Sequence, residues 1–69
     1  MPTINTMELE GISEKSWGEA AREALREAAR TIRHINKLEV LGTSTEVEDN
    51  QVVRYRTQVR LYFEVEPDR

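Results

Sequence analysis

Along residues 52–65 the chain alternates: Val53, Tyr55, Thr57, Val59, Leu61, Phe63 and Val65 are apolar or favour strands, and Arg54, Arg56, Gln58, Arg60 and Glu64 fill the places between. A period of two held this long predicts a strand with one buried and one polar face, reaching over roughly 40 Å at about 3.4 Å per residue. Residues 17–35 keep a different rhythm. Their apolar positions (Trp17, Ala21, Ala24, Leu25, Ala28, Ile32 and Ile35) share one side only at helical spacing. Ser16 followed by Glu19 has the form of a capping box, so the helix is expected to start there. Alanines at 20, 21, 24, 28 and 29 favour the helix and leave little bulk on it, which suits a helix lying close on a sheet. Glu19 with Arg22, Glu23 with Arg26 and Glu27 with Arg30 set opposite charges three apart on the other side. Arg30, Arg33 and His34 are expected near the helix end, where they would complement its dipole. Trp17, on the apolar stripe at the first turn, is expected in the core.

Two weaker alternations complete the chain. Residues 3–10 place Met7 and Leu9 on one face and Thr6, Glu8 and Glu10 on the other, a first strand ending at Gly11. Residues 37–47 are rich in strand formers, and Gly42 within them suggests a bulge or a close approach. The cluster Glu48, Asp49, Asn50, Gln51 predicts a hairpin turn into the long strand, and the tail 66–69, with Pro67, is expected to fray. The order is β-α-β-β. It predicts an α+β fold: a three-stranded antiparallel sheet in the order 1-3-2 with the long strand central and the helix on one face. The other face would then carry Arg54, Arg56, Arg60, Tyr62 and Glu64.

Size sharpens this picture. Sixty-nine residues are expected to form one domain, 1–69, whose core is small enough that such folds add disulfides, a metal or oligomerisation. With no cysteine and a single histidine, His34, the first route and a histidine-rich metal site are closed, which leaves oligomerisation. No apolar run approaches the length of a membrane span and no secretory signal pattern opens the chain, so a cytoplasmic protein without membrane contact is expected. The net charge of −3 argues against nucleic-acid binding. No paired acid and base stands out, and nothing around Lys37 marks it as a Schiff-base lysine, so an enzyme is not expected.

In the order and spacing of its local strings the chain resembles the dodecins. Those strings are Glu8-Leu9-Glu10-Gly11-Ile12-Ser13, Ser16-Trp17-Gly18-Glu19-Ala20-Ala21, Thr31-Ile32-Arg33-His34-Ile35, Glu39-Val40, Tyr55-x-Thr57-x-Val59 and Phe63-Glu64-Val65. The resemblance implies a hollow homododecamer of β-α-β-β subunits that stores or buffers a flavin (FMN or riboflavin), stacked between tryptophans at a subunit interface. It also implies where the cofactor-binding positions fall. The stacking tryptophan corresponds to Lys37, and the glutamine that meets the polar edge of the flavin corresponds to Arg56. The expected function is therefore a binding and storage shell whose flavin pocket is altered and holds flavin weakly or not at all. The alternative is a flavin-free structural shell or one that takes a divalent cation of the calcium type. Glu8, Glu10, Glu39, Glu46, Glu48 and Asp49 are available for such a cation, without any ligand spacing that connects them. Lys37, Arg54 and Arg56, brought together with their symmetry copies, could instead gather round an anion, or the two arginines could pair with Glu39 and Glu64 of neighbouring strands or chains.

Overall fold

A computed structural model describes residues 3–65. Its elements are β1 (Thr3–Ser13), α1 (Trp17–Ala28), β2 (Ile35–Glu48) and β3 (Gln51–Val65), joined in one antiparallel sheet of order β1-β3-β2. The topology is the one the alternation predicts. The long strand is central because it alone has a partner on each side: Val59 lies opposite Leu9 and Val40, and Leu61 opposite Met7 and Leu38. Those residues point to the helix, whose buried side consists of Ala20, Ala24 and Ala28. Val59 and Leu61 are fully covered.

Small residues let the helix backbone come down onto the sheet. Gly11 lies opposite Thr57 within β1, and a Cβ built on it would stand 1.7 Å from the Ala20 carbonyl oxygen and 3.1 Å from the Ala24 nitrogen. No side chain larger than hydrogen fits. The first strand therefore does not end at Gly11 but passes beneath the helix and continues to Ser13. Thr57, 1 % exposed, fastens the same point by donating its hydroxyl to the Trp17 carbonyl at 2.8 Å.

Helix α1 starts where the capping residues place it: Ser16 is extended, and its hydroxyl oxygen accepts from the Glu19 N–H at 3.0 Å. Only that half of the capping box forms, since the Glu19 carboxylate turns to Arg22. The helix ends earlier than the apolar stripe does. After Ala28 the bonds tighten, with Arg30 N–H to Glu27 and Thr31 N–H to Ala28, both at 3.2 Å, and the chain leaves the helix. The β-branched pair Thr31 and Ile32 gains little from helical backbone. Ile32 and Ile35 still pack on the core, one from the turn and the other from β2, so they keep the stripe's phase without its structure. Arg30, Arg33 and His34 consequently lie beyond the helix, and the basic residue of its last turn is Arg26. His34 takes a left-handed conformation (φ 62°) that turns the chain into β2.

Gly42 marks a bulge as expected: the pairing with β3 slips between Val40 and Gly42, leaving Leu41 as the extra residue. Asp49 and Asn50 both have positive φ (53° and 64°) and make the tight hairpin turn between β2 and β3. The expected fraying of 66–69 falls outside the described residues.

A helix of 12 residues, roughly 18 Å long, cannot cover a strand of 15 residues, roughly 50 Å long. The chain measures 56 × 19 × 12 Å. The helix rests on β1 and β3, and β2 is left largely bare, with Val40, Leu41 and Val47 exposed. The chain shows 5274 Å² to its surroundings, against roughly 4,450 Å² for a compact monomer of 8.0 kDa.

Candidate ligand-binding site

The sheet face away from the helix is built by the polar half of each alternation. It carries Glu8 and Glu10 from β1, Lys37, Glu39, Glu46 and Glu48 from β2, and Arg54, Arg56, Gln58, Arg60, Tyr62 and Glu64 from β3. Strand register decides who meets whom. Arg60 faces Glu8 on one side and Glu39 on the other, and bonds both, at 2.8 and 3.4 Å. Arg54 faces Glu46 and donates to it at 2.6 Å, with Glu48 at 3.9 Å. Arg56 faces Ile12 and Ser44, neither of which can pair with it, so it reaches diagonally to Glu46 at 2.6 Å and to Glu10 at 2.9 Å.

These contacts have an electrostatic consequence. Hydrogen bonds from Arg54 first and Arg56 next hold the Glu46 carboxyl below the usual carboxylate range. The bond to Glu8 chiefly holds the Arg60 guanidinium above its ordinary value. Every guanidinium on this face is engaged by carboxylates of its own chain. The expected pairing of Arg54 and Arg56 with Glu39 and Glu64 is corrected within the chain: Arg54 and Arg56 take Glu46, Glu48 and Glu10, while Glu39 goes to Arg60. Glu64 accepts instead from the Asn36 side-chain amide at 3.4 Å.

Lys37 opens the working part of β2 opposite Tyr62, and its ammonium stands over the Tyr62 ring, 4.6 Å from the centroid. The Tyr62 hydroxyl in turn donates to Glu39 at 2.7 Å. Lys37 and Arg56 are not brought together within one chain. The partner of Lys37 on β3 is six residues from Arg56, roughly 20 Å along the strand.

Trp17 is not a core residue. It is 44 % exposed, stands edge-on to Tyr55 with ring centroids 5.3 Å apart, and donates its indole N–H to the Ser44 carbonyl at 2.9 Å. The helical stripe gave its direction correctly, but the helix begins where the sheet runs on uncovered, so nothing closes over the ring. The six acidic residues named as cation ligands are dispersed along the sheet, and among the described residues no three metal-ligating side chains are gathered.

One feature of this face had no sequence signal. Glu8, Leu9, Glu10, Leu41, Gln58 and Val59 line an open cleft of about 240 Å³. It lies beside the β2 bulge, where Leu41 is left unpaired and Gly42 stands opposite Gln58.

The dodecin family model matches residues 3–66, and the chain belongs to that family. Its fold is the dodecin fold. The structure of dodecin from Streptomyces coelicolor is similar over 97 % of this chain and 96 % of that one, with a TM-score of 0.92 and 28 % identity. A point mutant of the Thermus thermophilus dodecin is similar over 97 % of this chain and all of that one (TM-score 0.92, 27 % identity). The calcium dodecin from Mycobacterium tuberculosis, described as a calcium-chelating antigen with a novel calcium-binding site, is similar in fold (TM-score 0.83, 24 % identity, 97 % and 96 % covered). No curated protein sequence matches the chain. Family membership places it among binding proteins without enzymatic activity. Among the described residues no helix is long and apolar enough to cross a membrane.

Proposed function

We propose that the chain forms a dodecameric binding shell of the dodecin type whose flavin pocket has been altered, so that flavin is held weakly or not at all. The observation that carries this reading is the state of the two pocket positions. The Lys37 ammonium lies on the Tyr62 ring, and Arg56 is clamped between Glu46 and Glu10.

A strongly hydrated ammonium resists being sandwiched against a flat ring, and replacing an aromatic platform removes stacking worth roughly 1 to 3 kcal/mol, about 5- to 150-fold in affinity. Arg56 cannot accept a hydrogen bond, and its donors already serve two carboxylates. These residues do not fit a stacked flavin. Assembly is supported by the excess surface and by the exposure of Ile4, Ile12, Trp17, Val40, Leu41, Val47, Val52 and Val65, apolar area that a neighbouring copy would cover.

Native mass spectrometry combined with flavin titration tests the reading. The expected result is a mass near twelve chains, no retained flavin, and little quenching of riboflavin or FMN fluorescence. Lys37→Trp with Arg56→Gln should restore tight quenching. A wild-type protein that quenches flavin tightly would overturn the proposal, and a double variant that does not recover binding would overturn the assignment of these two positions. The surplus of carboxylates on the face favours a divalent-cation shell as the second reading; there a chelator would lower Tm and flavin would leave it unchanged.

A further inference from the structure

Lys37 and Tyr62 face one another across β2 and β3 on the polar side of the sheet. Arg54, Arg56 and Arg60 each bond carboxylates of the chain, but the Lys37 ammonium lies over the Tyr62 ring, 4.6 Å from its centroid. Glu39, the next carboxylate along the strand of Lys37, is already taken: its Oε1 accepts from the Tyr62 hydroxyl at 2.7 Å and from Arg60 at 3.4 Å. Arg60 is held in turn by Glu8 on β1 at 2.8 Å. Tyr62 is thereby fixed at both ends. Its hydroxyl joins a set of bonds that crosses all three strands, and the ammonium rests on its ring, so the half-buried side chain has one orientation on the sheet.

Sheet order gives this arrangement its meaning. Strand β2 is an edge of the chain's own sheet, with β3 on its inner side. A flat ligand that stacks on residue 37 and also lies on the polar face must therefore approach from the β3 side, and there Tyr62 already stands.

We propose that Tyr62 is a specificity-determining residue of this site: a ring of the chain itself occupies the side of residue 37 that a flat ligand would use, so the stacking position is closed from within. The inference rests on the reading that the flavin pocket is altered at position 37, and it adds a third residue to Lys37 and Arg56. An internal ring competes with a ligand ring by mass action, and apparent affinity falls by the fraction of the protein in which the position stands open. An aromatic pair in contact favours the closed form by about 2- to 13-fold. An aromatic side chain restored at position 37 still meets that competition, because it can pair with Tyr62 where the ammonium now does.

The test is riboflavin titration, followed by fluorescence quenching, of the assembled full chain carrying Lys37→Trp with Arg56→Gln, and of the same protein with Tyr62→Ala or Tyr62→Phe added. Tyr62→Gln takes the place of Tyr62→Ala if the latter changes the native oligomer mass. Removing the ring should tighten riboflavin binding by about 2- to 13-fold over the double variant. Tyr62→Phe, which keeps the ring and loses only the bond to Glu39, should bind as the double variant does. In the wild-type protein, proton NMR should find the Lys37 ε-methylene shifted upfield by the ring, a shift kept in Tyr62→Phe and lost in Tyr62→Ala. Unchanged or weaker binding once the ring is gone, a Tyr62→Phe protein that gains as much as the ringless one, or unshifted Lys37 ε protons would overturn the inference. The same titrations keep the two readings apart. Tight quenching by the wild-type protein overturns the altered-pocket reading, whereas a double variant that binds tightly and gains nothing from loss of the ring overturns this inference alone.

Discussion

Gly11→Ala is the most searching perturbation of the fold, because it adds one methyl where helix and sheet backbones touch. The new Cβ would stand 1.7 Å from the Ala20 oxygen, and a carbon needs roughly 3.3 Å from a carbonyl oxygen, so helix and strand must part by about 1.6 Å. The obstacle is backbone, which cannot rotate aside as a side chain can. Displacement on that scale forfeits most of the dispersion contact around Ala20 and Ala24, now 0 % and 2 % exposed, and uncovers Val59 and Leu61 beneath. Overpacking alone costs about 1 to 3 kcal/mol, and with the lost helix contacts the total should reach about 3 kcal/mol or more. In a domain this small that lowers Tm by roughly 12 to 24 °C. The assay is thermal unfolding by circular dichroism at fixed chain concentration. Gly18→Ala is the control, because its Cβ would meet nothing nearer than an Arg22 side-chain nitrogen at 3.6 Å, and it should hold or raise Tm. A Gly11→Ala protein melting within about 4 °C of wild type would refute the close-contact argument.

Thr57→Val keeps the shape of a buried side chain but removes the hydroxyl that ties β3 to the Trp17 carbonyl, and should cost about 1 kcal/mol in urea unfolding. Asn50→Gly should be neutral or stabilising and Asn50→Val destabilising by about 1 to 2 kcal/mol, since the turn requires φ 64° there; equal melting of the two would count against the turn assignment. For Glu46 the folded carboxyl titrates below its ordinary value of 4.5, so its contribution is present above that value and is lost as pH falls through the lower folded one. Glu46→Gln should accordingly melt below wild type at neutral pH, with the gap closing as acid protonates the wild-type residue; a gap that persists in acid would point away from the Arg54 and Arg56 pairing.

The alternation of residues 52–65 determined the long strand, and the hairpin turn before it, with the first strand brought alongside after the helix, made 1-3-2 the simplest order. Ser16 determined the helix start and Gly42 the bulge, since capping and backbone permissiveness are local properties. The helix end was not legible: Ile32 and Ile35 hold the phase of the stripe whether they belong to a helix or to a turn and a strand, and only the packing tells these apart. Gly11 read as a terminus, because a sequence shows that a side chain is missing but not what presses against the gap. Trp17 read as core for a related reason, since helical phase gives direction and the extent of the sheet gives cover. The polar face was legible in its membership but not in its pairing. Arg56 meets Glu46 and Glu10 because the register sets Ser44 and Ile12 beside it and the carboxylates one diagonal away. That relation joins residues on three strands, and no spacing along a single strand contains it.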